Sequence, residues 1–174
     1  MDKSKLSAAI YTEAEIRQMV KRVAEQIEKD YAGEEVVLIG VLKGSVVFIS
    51  DLMRALDLDV LLDFIVVSSY QGTKSTGVVK IIKDADIEIS GKHVILVEDI
   101  VDTGLTLAYL RDLFLARKPA SLAICTAFDK PDRRQVAVPV DYIGLEVPNV
   151  CVVGYGLDYE QNYRNLPYLA AYEF

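Results

Sequence analysis

Val94-Ile95-Leu96-Val97-Glu98-Asp99-Ile100-Val101-Asp102-Thr103-Gly104-Leu105-Thr106-Leu107 passes from aliphatic to acidic and then to turn-forming residues. Four aliphatic residues without a polar interruption predict a strand buried on both faces, as in a parallel sheet. Glu98 and Asp99 follow as adjacent carboxylates. Asp102-Thr103-Gly104 is a turn signal that contains a helix-capping residue type. Leu107, Leu110, Leu113 and Phe114 then recur at helical spacing, predicting a helix from about Thr106 that ends near Lys118-Pro119. The unit reads as strand, acidic loop, helix.

In an open parallel sheet, ligands collect at the carboxyl ends of the strands. A helix N-terminus there presents free backbone N–H groups and a partial positive charge. Gly104 lets backbone approach a ligand closely, and Thr103 and Thr106 add hydroxyl donors, so the turn suits a phosphate. Glu98 and Asp99 add acceptors suited to a sugar diol or a hydrated magnesium ion. The plainer alternative is a strand-to-helix turn with an Asp cap and solvated carboxylates.

The 174 residues predict one domain with a substantial core. A composition of 52% hydrophobic and 26% charged residues suits a soluble globular chain. No apolar run reaches membrane-spanning length, and Met1 to Lys5 lead into no signal-peptide core. Cys125 and Cys151 form neither a disulfide framework nor a metal spacing, which predicts a reducing, cytoplasmic setting. The net charge of −7 argues against nucleic acid as a partner. Walker A and G-x-G-x-x-G patterns are absent, so the usual nucleotide cradles are too.

Outward from the central stretch, residues 12–29 predict an amphipathic helix. Thr12 and Glu15 form its capping box, and Ile16, Val20, Val23 and Ile27 its apolar stripe. Val36 to Leu42 predicts a second buried strand, followed by Lys43-Gly44-Ser45 and a helix from Val46 to Leu56. Lysine and glycine at a strand's carboxyl end suit a second anionic group, or simply a loop with a solvent-facing lysine. Val60 to Val67 and Val78 to Ile82 predict a long hairpin around the small, polar segment from Ser68 to Gly77. Ala120 to Phe128 predicts another strand, ending in the charged turn from Asp129 to Arg134. Val150 to Tyr155 predicts one more. His93 precedes the central strand at the end away from the ligand loops, which predicts a structural role.

The run from Val97 to Leu107, V-E-D-I-V-D-T-G-L-T-L, resembles the phosphoribosyl-pyrophosphate (PRPP) motif of type I phosphoribosyltransferases, in its hypoxanthine-guanine form. Leu42 to Ser45 is similar to the L-K-G-S of that branch. Tyr142 to Pro148 and the V-V-G-Y-G-L-D-Y from Val152 to Tyr159 are similar to two further segments. The resemblance spans about residue 10 to residue 168. It implies an α/β fold, with a central, mainly parallel sheet flanked by helices, a small hood and a flexible flap loop. It implies a cis peptide between Leu42 and Lys43.

The implied reaction is Mg²⁺-dependent transfer of a phosphoribosyl group from PRPP to a 6-oxopurine. The implied sites follow the matching positions. Glu98, Asp99, Asp102, Thr103, Gly104, Leu105 and Thr106 would hold the ribose and 5′-phosphate, with Asp102 also as general base. Lys43, Gly44 and Arg164 would bind pyrophosphate. Ile100, Lys130, Cys151, Val152, Leu157 and Asp158 would face the purine. Ser69 and Tyr70 would belong to the flap, and Glu98, Asp99 and Asp158 would serve the metal. The resemblance implies a homodimer or homotetramer, with small-molecule substrates and neither nucleic acid nor membrane as partner. One departure stands out: the branch usually carries an aromatic residue where this chain has Cys151, and cysteine offers no π face. The competing readings are a xanthine- or guanine-selective phosphoribosyltransferase, or a regulatory RNA-binding protein on the same fold.

Overall fold

A computed structural model describes residues 2–69 and 79–174. In chain order its elements are β1 (Leu6–Tyr11), α1 (Glu13–Asp30), β2 (Val36–Leu42), α2 (Val46–Ala55), β3 (Val60–Ser69), β4 (Val79–Lys83), β5 (His93–Val101), α3 (Leu105–Leu115), β6 (Ser121–Asp129), β7 (Tyr142–Glu146), β8 (Val152–Val153) and β9 (Leu169–Tyr172). The main sheet has the order β4-β3-β2-β5-β6-β7, parallel throughout except for the antiparallel edge strand β4. A second sheet, β1-β9-β8, is antiparallel and forms the hood.

The aliphatic runs are buried on both faces because residues alternate across a strand. Val36 and Leu38 of β2 face a core shared with α1 and α2, whereas Val37, Ile39 and Val41 face a second core with Leu107, Leu110 and Phe114 of α3. Helix α1 starts with the expected capping box, Thr12 Oγ1 accepting from Glu15 N–H and the Glu15 carboxylate accepting from Thr12 N–H. Its stripe from Ile16 to Ile27 is buried. The hairpin of β3 and β4 also forms, with Val67 opposite Ile81.

Four local expectations change. Glu98 and Asp99 are strand residues: β5 runs on to Val101 because β6 continues beside it, Glu98 opposite Thr126 and Val101 opposite Asp129. Backbone pairing overrides the polarity of the two carboxylates. Second, α3 begins after Gly104, which is left-handed at φ 85° and caps with no side chain, so Asp102 is not the cap. Third, α3 ends at Leu115 rather than near Lys118, since Lys118 itself is left-handed. Fourth, only Val152 and Val153 of the expected Val150–Tyr155 strand pair with β9. Gly154, Tyr155 and Gly156 all have positive φ and turn the chain back on itself, with Gly154 bridged to Leu157. Strands β1 and β9, outside or at the margins of the recognised motifs, were not expected. His93 is structural as expected, hydrogen-bonded to Ser121 Oγ through Nδ1 at 2.8 Å and edge-on to Tyr31.

Candidate active site

The carboxyl ends of β2, β5 and β6 and the hood segment after β8 meet at one edge of the main sheet. The Leu42–Lys43 peptide at the end of β2 is cis. Gly44 follows, so close to β5 that a Cβ there would lie 1.5 Å from Asp99 Oδ2. A Cβ on Gly156 of the hood would lie 2.1 Å from the Gly44 carbonyl oxygen. Two glycines therefore let the β2 loop close onto the Asp99 carboxylate on one side and onto the hood backbone on the other. Lys43 is exposed, its Nζ donating to Gln161 Oε1 at 3.3 Å.

Two clefts flank the end of β5. The smaller, about 90 Å³, is lined by Glu98, Asp102, Thr103, Gly104 and Thr106. It is phosphate-sized, and its floor is the uncapped start of α3, whose first-turn N–H groups favour an anion. The segment after β6 holds its loop: Gln135 and Val136 donate N–H bonds to the Thr103 carbonyl. Leu105 does not line this cleft; its N–H approaches Thr103 Oγ1 at 3.4 Å. The larger cleft, about 480 Å³, is walled by Ile100, Lys130, Cys151, Val152, Leu157 and Asp158. Ile100 and Asp102 border both.

The charges here are poorly solvated. Burial, reinforced by neighbouring Asp99, holds the Glu98 carboxyl well above the usual range, and Glu98 Oε2 is buried without a hydrogen-bond partner. Burial pushes Asp99 up to about 6, against the opposing pull of the Ile100 N–H and the Arg164 guanidinium. Lys130 is 6% exposed and donates from Nζ to the Val150 carbonyl at 2.9 Å. Arg133 brings Nε to 3.2 Å from Asp102 Oδ1 without hydrogen-bond alignment. Arg164 pairs with Asp158 at 2.5 Å and donates to the Gly156 carbonyl at 2.7 Å.

The expected metal group of Glu98, Asp99 and Asp158 is not preassembled: among the described residues, no three acidic, His or Cys side chains converge as a cation cage. Asp158 is instead engaged by Arg164 and by the Gln161 N–H. Of the expected flap pair, Tyr70 lies outside the described residues, as does the Ser69 side chain. Every other expected site residue gathers at this edge. Sequence reasoning missed Arg133, Gln161 and Phe174. Gln161 links Lys43 and Arg164, and Phe174 lines the larger cleft. The charged turn from Asp129 to Arg134 was the one local signal for Arg133; none marked the other two. Among the described residues a roomier cleft, about 600 Å³, lies between α1, α2 and residues 164–167. Its charges satisfy one another, as in Arg17–Glu13 and Tyr155 to Asp51, so it offers no unspent chemistry.

The fold that brings these two clefts together has its counterpart among known proteins. The family model of the phosphoribosyl transferase domain matches residues 7–160, and the chain belongs to that family of transferases. Within it, the chain is 52% identical over 161 residues to a hypoxanthine-guanine phosphoribosyltransferase of Streptococcus pyogenes, covering 92% of this chain and 89% of that one. A crystal structure of the Bacillus anthracis hypoxanthine-guanine phosphoribosyltransferase superposes with a TM-score of 0.92 at 48% identity, over 95% of this chain and 98% of the other. That of a hypoxanthine phosphoribosyltransferase from Staphylococcus aureus gives 0.94 at 44% identity, over 98% and 93%. Among the described residues no helix is long and apolar enough to cross a membrane.

Proposed function

We propose that this chain transfers the 5-phosphoribosyl group of PRPP to a ring nitrogen of a 6-oxopurine, hypoxanthine or guanine, releasing pyrophosphate, as a purine-salvage step. The observation that carries it is the meeting of the two clefts at Asp102, one suited to phosphate and the other holding a buried lysine. The 5′-phosphate fits the cradle from Thr103 to Thr106, where N–H groups and hydroxyls supply donors. Glu98 and Asp99, at the rim between the two clefts and the Gly44 loop, accept from the ribose hydroxyls. The Lys43–Gly44 loop and Arg164 neutralise the departing pyrophosphate.

The base occupies the larger cleft, against Ile100 and Leu157, with the Val152 backbone beside its edge. Lys130 Nζ already donates to a carbonyl oxygen, so a purine 6-oxo oxygen can replace Val150 O like for like. Adenine's amino group cannot. Asp102 borders the reacting centre from both clefts and takes the N7 proton as the glycosidic bond forms.

Magnesium fits the donor set. Glu98, Asp99 and Asp158 are hard oxygen groups, and the partnerless Glu98 Oε2 is an unmet demand for a cation or donor. Mg²⁺ keeps several waters and needs only one or two carboxylates beside substrate phosphates, so no protein cage is required. Its contribution when bound is charge neutralisation on the leaving pyrophosphate. The chain acts as one domain, residues 1–174, in a homodimer or homotetramer. A reducing, cytoplasmic setting accords with the free thiols of Cys125 and Cys151.

The test is a panel of hypoxanthine, guanine, xanthine and adenine with PRPP, following nucleotide and pyrophosphate together. Hypoxanthine or guanine should react and adenine should not, with chelator abolishing turnover and Mg²⁺ restoring it. Turnover with xanthine alone, or binding of RNA without any transfer, would overturn the proposal.

A further inference from the structure

We propose that Phe174 supplies the aromatic face on which the purine stacks, so that base affinity in this chain depends on a residue beyond β9. The inference rests on the assignment of the larger cleft to the base. Phe174 lines that cleft together with Lys130, Cys151 and Leu157. Among the described residues it is the only ring there. Ile100 and Leu157 offer aliphatic surface, Cys151 a thiol, Lys130 and Asp158 charge. A planar heterocycle gains more from a ring than from equal aliphatic area, because the two π systems can stack.

The ring is both free and held in place. Phe174 is 85% exposed, so its contacts leave most of it uncovered. Those contacts are edge-to-face: Tyr172 at 5.5 Å and 81°, Tyr159 at 5.6 Å and 82°. The two tyrosines stack on each other at 4.2 Å and form a rigid base for it. The backbone before it is pinned twice. Tyr172 N–H donates to the Cys151 carbonyl at 2.8 Å, and Glu173 N–H donates to the Lys5 carbonyl at 2.8 Å. One hydrogen bond therefore ties β9 to Cys151, itself a wall of the cleft. An exposed ring held at the wall of a cleft that mixes aliphatic and charged surface, with its area left to water, is what an apolar, planar ligand would cover.

The chain contains no tryptophan, so Phe174→Trp places a single indole at the site. At an exposed position the larger ring meets little steric resistance. Guanosine monophosphate should quench its emission, and ribose 5-phosphate should not. In kinetics, Phe174→Ala and Phe174→Leu should raise the Michaelis constant for the purine roughly 5-fold, the low end for stacking on one side. The constant for PRPP should move less than twofold, and Phe174→Tyr should restore the wild-type value. Lys130→Ala provides the control. If it weakens purine binding while Phe174→Leu matches wild type and the indole is not quenched, the base cleft stands and the role of Phe174 falls. If Lys130→Ala also leaves purine binding unchanged, the cleft assignment fails and this inference fails with it.

Discussion

Asp102 is half-exposed at the junction of two clefts, with Arg133 as its nearest cation. A carboxylate there can accept a proton from the base while its neighbour keeps the charge tolerable. Asp102→Asn preserves shape and removes the acceptor. Turnover should fall roughly 10²-fold or more, the scale of general-base loss, with PRPP affinity retained. Near-normal turnover in a stopped assay would take Asp102 out of that role. Cys151 poses the opposite question, because its thiol borders the larger cleft, proposed to take the base, without a π face. Cys151→Phe should lower the purine Michaelis constant roughly 2- to 12-fold, the range of one aromatic contact, with PRPP unaffected. If the backbone has closed around the sulfur, overpacking instead costs about 1–3 kcal/mol. Purine affinity and melting temperature would then fall together. A variant unchanged in both measurements would show that residue 151 does not touch the base.

At the scale of elements, the site depends on how closely the β2 loop, β5 and the hood approach. Gly44 is the point of contact, since a methyl group there overlaps the Asp99 carboxylate. That atom belongs to a short, half-buried side chain whose Oδ1 accepts from the Ile100 N–H, so it cannot simply swing away. Gly44→Ala must therefore displace the loop or Asp99. The expected outcome is a PRPP Michaelis constant raised by about 10-fold, with a stability loss of about 1–3 kcal/mol, the usual cost of overpacking. Calorimetry beside steady-state kinetics reads both. An alanine variant with wild-type PRPP affinity would mean that the loop is looser than the interlock with Gly156 requires.

For the whole molecule, the poorly solvated carboxylates of β5 couple folding to pH. Asp99, raised to about 6, and Glu98, held well above its ordinary range by burial and by neighbouring Asp99, keep protons in the folded chain after the unfolded chain has released them near pH 4. Between those values the folded state binds more protons, so stability falls as pH rises. Asp63 and Asp84 act in the other direction, their pKa values lowered by hydrogen bonds and cations, but they are already ionised above pH 4. These two site carboxylates should therefore lower the thermal midpoint of the ligand-free protein between pH 4.5 and 7, the unperturbed and shifted ranges setting that approximate window. Asp99→Asn should flatten the slope. Identical slopes in the two proteins would show that Asp99 titrates in the folded chain as it does in the unfolded one.

The sequence by itself determined the parts whose signals are local. Unbroken aliphatic runs marked β2 and β5, the Thr12–Glu15 box marked the start of α1, and Asp102-Thr103-Gly104 marked the turn between β5 and α3 in its own residues. Tertiary structure decided what depends on the facing surface. Glu98 and Asp99 became strand residues because β6 runs beside them. The expected strand after Val150 stops at Val153 because the chain must bring Gly156 against the Gly44 carbonyl. Strand β1 pairs with β9 across nearly the whole chain length, Leu6 opposite Tyr172, and that pairing fixes where Phe174 ends up. Periodicity and turn chemistry act over a few residues. Closing a hood or filling a cleft depends on which distant backbone presents its hydrogen bonds and which side chains it brings along, and those contacts exist only once the chain has folded.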